Sequence, residues 1–407
     1  MQATQGMRDA ANLSMFQDGS LTLFRVRGIP IRAHWTLLLV LPYLALVLSI
    51  QFRTVAELAG VPHEQLALPP LIWGVVLALG LFASITLHEL AHSVVAIRFG
   101  GRVRSITLML VGGVSQLARI PRRPYHEGVM AAVGPVTSLV LGGLLYLVYT
   151  ASGAWPADLQ MALFYLAGMN LTLGVFNLVP AFPMDGGRLL RAALAAKLSR
   201  ERATQIASAV GKVCAVVLGV FGLWSGNLLL ILIAVFVYTG AHGELVQERV
   251  RGALEGLRVV DLLPQVKRPP PIVTAERLVG EVLPRMREFD RLELVVVDAF
   301  GTPLTVLQAG DLATIATGAR WAVTIGELAA RLPVRHVVVP WDISANDAIE
   351  RATEAGAGYV IVVDPAAERP NDLVGLVAAE DIARMVKLQM LARQAGPIPP
   401  GSASLAS

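Results

Sequence analysis

The sequence predicts a multi-span α-helical membrane domain followed by an α/β module of soluble type. Three observations predict it. Apolar residues make up 55% of the 407-residue chain and charged residues only 16%, where a soluble globular chain carries about 25% charged. The charge deficit falls before about residue 245. Beyond that point charged residues, turns and short apolar runs return, in an order that repeats.

Six segments reach or approach the roughly 20 apolar residues that cross a hydrocarbon core as a helix. They lie at about 34–52, 71–97, 128–150, 160–180, 204–224 and 227–244. Residues 105–118, "SITLMLVGGVSQLA", are apolar but too short to span, and they hold Gly112 and Gly113. They predict a re-entrant β-hairpin or an interfacial loop. The basic residues orient the spans. Arg8, Arg25, Arg27 and Arg32 precede the first span. Arg98, Arg102, Arg104, Arg119, Arg122 and Arg123 follow the second, and Arg188, Arg191, Lys197, Arg200 and Arg202 follow the fourth. The alternate loops carry only Arg53. Lys and Arg concentrate on the cytoplasmic side of a membrane, so both termini are expected in the cytoplasm, on a multi-pass protein of the cell membrane. The net charge of +4 is accounted for by this orientation, and no nucleic-acid partner is expected. A single cysteine, Cys214, excludes a cysteine-based metal site.

The expected domains are 1–245 in the membrane, 246–390 as the α/β module, and a Pro-, Gly- and Ser-rich tail, 391–407, without order. Within the module, "RLELVVVDAFGTPLTVLQAGDLATIA" and "GYVIVVDPAAERPNDLVGLVAAEDIARMV" share one frame. A β-rich run ends in Asp298 or Asp364, a turn and a second strand follow, and a helix is opened by Asp311 or Asp381. This is an internal duplication.

The chemistry lies in "SITLHELAHS", residues 84–93. On a helix, His88 and His92 share one face and can address a single ion. Glu89 can reach a water on that ion and take its proton, as in H-E-x-x-H metalloproteases. Three ionisable groups within five residues of a span are costly unless they do something there, since a Glu near the bilayer centre costs roughly 2.5–3.5 kcal/mol. A third ligand is needed if water takes the fourth position. The best candidate is Asp185 in "NLVPAFPMDGGRLLR", at the cytoplasmic end of the fourth span and on the same side as the histidines. Asp185 can also be read as the N-cap of a helix starting near Arg188. The histidines favour the ligand. Gly186 and Gly187 permit a tight turn there.

H-E-L-A-H in an early span, with N-x-x-P-x-x-P-M-D-G-G downstream, resembles the site-2 protease family of intramembrane zinc metalloproteases. "RGIPIRAHWT" at 27–36 and Gly134–Pro135 also fit it. The resemblance covers residues 23–245. It implies one zinc held by His88, His92 and Asp185, with Glu89 as the base that activates the zinc-bound water, and Asn177 on the substrate or the oxyanion. It implies a substrate that is a transmembrane protein already trimmed by another protease. Gly112 and Gly113 would lie where an unwound substrate adds as a strand, or else in a plain interfacial turn. His34 is expected to be interfacial, and Asn170 to bond between helices.

The duplicated module resembles a tandem pair of CBS domains. That implies either an adenine-nucleotide site using Asp311 and Asp381, or a module that dimerises the chain or gates substrate. Gln308 and Ala378 stand where nucleotide-binding members commonly carry a hydroxyl. A rival reading is a CBS-gated membrane transporter or channel with a His/Asp metal site.

Overall fold

The structure, a computed structural model, describes residues 19–58, 68–109, 112–119, 123–265, 271–289, 292–315, 317–366, 372–378, 381–382 and 384–388. The tail expected to lack order lies outside them, as do Arg8 and Arg122. The chain divides between Glu248 and Arg249 into two units.

The membrane unit opens with two short strands, β1 (Ser20–Val26) and β2 (Ile29–His34), then helix α1 (Leu37–Leu58). Helix α2 (Pro70–Arg98), strands β3 (Arg102–Met109) and β4 (Gly112–Arg119), and helices α3 (Pro124–Ala151), α4 (Ala157–Asn177), α5 (Asp185–Ala195), α6 (Arg200–Ser225) and α7 (Leu228–Ala253) follow. Their limits have local causes. Pro70 and Pro124 sit in the first turns of α2 and α3, where a missing N–H costs nothing. Ser199 caps α6, which ends on Gly226 in the left-handed conformation at φ 66°. Among the described residues, α2, α3, α4, α6 and α7 are long and apolar enough to cross a membrane. The first expected span is also a helix, α1, with a shorter apolar stretch over Leu37–Gln51.

The expected hairpin is present as β3–β4, but it belongs to a four-stranded sheet in the order β1-β2-β3-β4. β2 and β3 run parallel, with Ile31 opposite Ile106, and the other pairs are antiparallel. Gly112 and Gly113 lie in β4, opposite Met109 and Leu108, and not in the turn. Alternate residues Ile29, Ile31, Ile106 and Leu108 form one buried face against Ile85 and Leu90 of α2, as a period of two requires. That packing fixes β4 as an edge strand beside α2. His34, expected at the interface, is buried within the protein. It ends β2, with Nδ1 2.9 Å from Thr36 Oγ1.

The bundle closes through small residues. Ala45, Leu48, Trp73, Leu77, Ala78, Met161 and Ala162 make a core of α1, α2 and α4. The loop between α4 and α5 inserts Phe182, fully buried, against Ala207 of α6 and Ala241 of α7.

In the second unit, β5 (Ile272–Thr274), α8 (Val279–Phe289), β6 (Glu293–Val297), β7 (Pro303–Gln308) and α9 (Ala309–Ala313) make the first repeat. After a short helix α10 (Ile325–Ala329), β8 (His336–Pro340), α11 (Ala345–Ala355), β9 (Tyr359–Asp364) and β10 (Asp372–Ala378) make the second. Each sheet pairs its first two strands parallel and its last two antiparallel, so the duplication read from the sequence is present. The sheets face one another through Val295, Val297 and Val306 on one side and Tyr359, Ile361, Val363 and Leu376 on the other.

Candidate metal centre

His88 and His92 stand one turn apart on α2, both buried, and their Nε2 atoms lie 3.2 Å from each other. Asp185, the first residue of α5, brings Oδ2 to 3.2 Å from His88 Nε2 and 3.0 Å from His92 Nε2. The N-cap alternative for Asp185 is not what the chain does: Met184 holds that position, and no side chain caps the helix. Gly186 and Gly187 serve close packing rather than a turn. A Cβ on Gly186 would lie 2.2 Å from the Val179 carbonyl, and one on Gly187 2.5 Å from the Phe182 nitrogen. The folded-back loop thereby delivers Asp185 to the histidines.

The chemistry of these donors fits a cation. His92 Nδ1 lies 2.6 Å from the Met130 carbonyl, which can only accept, so Nδ1 carries the proton and Nε2 of the neutral ring presents its lone pair. Burial alone would raise the Asp185 pKa, but the neighbouring histidine rings and the Arg188 guanidinium outweigh it and hold the carboxyl well below the usual range. An anionic oxygen and two imidazole nitrogens thus converge with all donor atoms within 4.8 Å of one another. Two histidines and a carboxylate are a catalytic zinc set, leaving one position open.

Helix α3 supplies the surroundings on one face, at residues 130, 134 and 138. Met130 accepts from His92. Ser138 Oγ lies 2.9 Å from His88 Nδ1. Between them, a Cβ on Gly134 would sit 2.2 Å from His92 Nε2 and 2.7 Å from His88 Nε2. Gly134 was visible in the sequence without a reason, and here the reason is space for the two imidazole rings. Ser138 and the Met130 carbonyl were not foreseen. A backbone carbonyl has no sequence signal, and a lone Ser in a span resembles ordinary packing.

Glu89, partly exposed, follows His88 beside the edge strand β4, where a Cβ on Gly113 would meet Glu89 Cγ at 2.6 Å. Asn177 ends α4, and its amide donates to the Leu173 carbonyl one turn back. Asn170 bonds between helices as expected, donating to Ser84 Oγ of α2 at 3.0 Å.

A buried ionic cluster was read in the sequence only as loop charge. Glu127 on α3 takes Arg191 Nε at 2.7 Å and Arg200 Nη1 at 2.6 Å. Arg191 also reaches Glu244 at 3.1 Å, and Arg200 reaches Glu248 at 3.1 Å. Arg191 rides on α5, the helix that begins with Asp185.

In the second unit, Asp311 sits in the first turn of α9, and its carboxylate accepts from the Gln308 N–H at 2.9 Å. Both its oxygens lie 3.1 Å from Arg335, and Gln308 donates to the Tyr359 hydroxyl at 2.6 Å. Asp381 accepts from the Ala378 N–H at 3.0 Å. Nearby in sequence, burial pushes the His336 imidazole below its ordinary 6.5, and its buried Nδ1 has no partner among the described residues. The unfolded chain therefore binds that proton first, and stability is expected to fall as pH drops below about 6.5. Thermal unfolding of the wild type and His336→Gln from pH 7.5 to 5.5 checks this. The variant is expected to lose less over that window.

A buried His–His–carboxylate centre with an adjoining Glu, inside a bundle of membrane-length helices, defines a membrane metallohydrolase. The profile of peptidase family M50 matches residues 76–155 and 148–218. Rip3 of Mycobacterium tuberculosis is 30% identical over 387 residues, covering 92% of this chain and 94% of that one. A zinc metalloprotease of Methanocaldococcus jannaschii is 36% identical over 246 residues, 60% of this chain, and the match spans 66% of that relative, just short of two thirds. The second unit is similar in structure to the CBS domain of a bacterial CNNM/CorC family Mg2+ transporter, with a TM-score of 0.29 and 19% identity over 34% of this chain and 82% of that one. This chain belongs to peptidase family M50, the zinc metalloprotease family of the site-2 proteases.

Proposed function

We propose that this chain is an intramembrane zinc endopeptidase that hydrolyses a peptide bond within the transmembrane segment of a membrane protein. The observation that carries the reading is the convergence of His88, His92 and Asp185 with Glu89 next to them and the β4 edge against Glu89. His88, His92 and Asp185 would hold the zinc, which would supply Lewis acidity for the scissile carbonyl and a lowered pKa, toward about 7, for the attacking water. Glu89 takes the water's proton as its oxygen adds to the carbonyl carbon, then delivers that proton to the leaving amine as the C–N bond breaks. A helix must unwind to offer its carbonyl. The outer edge of β4, the last strand of the sheet among the described residues, can hold the unwound stretch by strand addition, with Gly113 allowing close approach to Glu89. Asn177, released from Leu173, can donate its amide to the developing oxyanion.

The Lys and Arg bias of the loops supports both termini in the cytoplasm, and a substrate trimmed first on the other side by another protease suits that reading. For the CBS-type unit, the Asp311 carboxylate would have to leave Arg335 to hold a ribose. That favours a module for pairing two chains or gating substrate over an adenine-nucleotide sensor.

The test is cleavage of a single-span peptide by the full chain in liposomes. Chelator treatment is expected to stop cleavage, and Zn2+ to restore it. Cleavage that continues in metal-stripped protein would contradict the proposal.

A further inference from the structure

Hydroxyls in the membrane helices of this chain mostly serve their own helix. Ser84 Oγ donates to the Gly80 carbonyl at 2.9 Å, Thr86 to Phe82 at 2.7 Å and Thr137 to Val133 at 2.8 Å. This back-bonding four residues away is the default for Ser and Thr in a helix, because the acceptor is already in reach. Ser138, the neighbour of Thr137, crosses instead to another helix and meets His88 Nδ1 at 2.9 Å, with its residue 2% exposed.

Its partner His88 otherwise turns toward Asp185 with Nε2. An imidazole buried in a bundle can rotate or exchange tautomers unless its second nitrogen is held. His92 is held by the backbone carbonyl of Met130, which no substitution removes. His88 is held by a side chain. The spacing is consistent with antiparallel pairing: His92 meets residue 130 and His88 meets residue 138, with Gly134 leaving room between them.

We propose that Ser138 is a positioning residue. It accepts the Nδ1–H of His88 and so keeps the Nε2 lone pair of that ring aimed at the ion shared with His92 and Asp185. Ser138 touches neither substrate nor reacting atoms. The inference rests on the metal-centre reading above.

Zinc affinity, measured by chelator competition on the full chain in detergent, tests it together with the visible spectrum of the cobalt-loaded protein. Loss of such a partner typically weakens metal binding 10–100-fold. Ser138→Ala is expected to weaken zinc by about that factor and to alter the cobalt spectrum, with the melting temperature of the metal-free protein unchanged. Ser138→Thr, which keeps the hydroxyl, is expected to restore affinity. Thr137→Val, which removes the neighbouring hydroxyl, is expected to bind zinc as the wild type does. Wild-type affinity and spectrum in Ser138→Ala would overturn the role of Ser138. So would an affinity loss that Ser138→Thr reproduces. A wild type that takes up no zinc would overturn the metal centre itself.

Discussion

Gly134→Ala is expected to yield a folded chain that takes up less than about a tenth of the wild-type zinc and has lost proteolysis. The new methyl would meet His92 Nε2 at 2.2 Å, His92 Cε1 at 2.5 Å and His88 Nε2 at 2.7 Å. All three are ligand side-chain atoms, so the clash falls on the metal centre and not on helix packing. Helix α3 itself gains, since Ala is better than Gly in a helix interior by up to about 1 kcal/mol. Gly143→Ala is the matched control, because a Cβ there meets nothing within 4 Å. Zinc per chain by elemental analysis and thermal unfolding of the same samples check the prediction. Stoichiometric zinc in Gly134→Ala would contradict it.

The second large effect is on stability. Glu127→Ala leaves Arg191 and Arg200 without their shared carboxylate, at a site where the Glu127 and Arg191 side chains are 3% and 8% exposed. Breaking a buried pair from one side costs roughly 3–5 kcal/mol. The lower end, about 3 kcal/mol, is expected here because Arg191 keeps Glu244 and Arg200 keeps Glu248. A weaker hold on α5 also loosens Asp185, so zinc affinity is expected to fall with stability. Unfolding of the metal-free and zinc-loaded protein separates the two losses. Unchanged unfolding of the metal-free chain would show that the cluster does not hold α5.

What could be read from the sequence follows the range of the forces involved. His88, Glu89 and His92 share one turn of one helix, so local spacing and the cost of charge in an apolar run reveal them. Asp185 is distant in sequence, and the topology of the spans put it at the same depth. The Glu127 cluster joins residues 48 to 73 positions apart in the chain, and its arginines had a sufficient explanation as loop charges. β1 and β2 carry arginine among apolar residues and lie against the first apolar run, so the pairing of β2 with β3 was not visible. For Gly112 and Gly113 the sequence left a strand edge and a plain turn both open. Here Gly113 lets an edge strand pass close to Glu89.

The most direct test of the central claim pairs zinc content with peptide cleavage in the wild type and Glu89→Gln. Gln keeps the shape of Glu but cannot take the proton. Zinc is expected to stay near about one per chain, while cleavage falls by about 10²–10⁴-fold, the span of general acid–base catalysis. Full cleavage by Glu89→Gln would contradict the assignment of Glu89 as the base. Two chains that cut no membrane peptide, yet carry metal across liposomes, would replace the protease with a transporter.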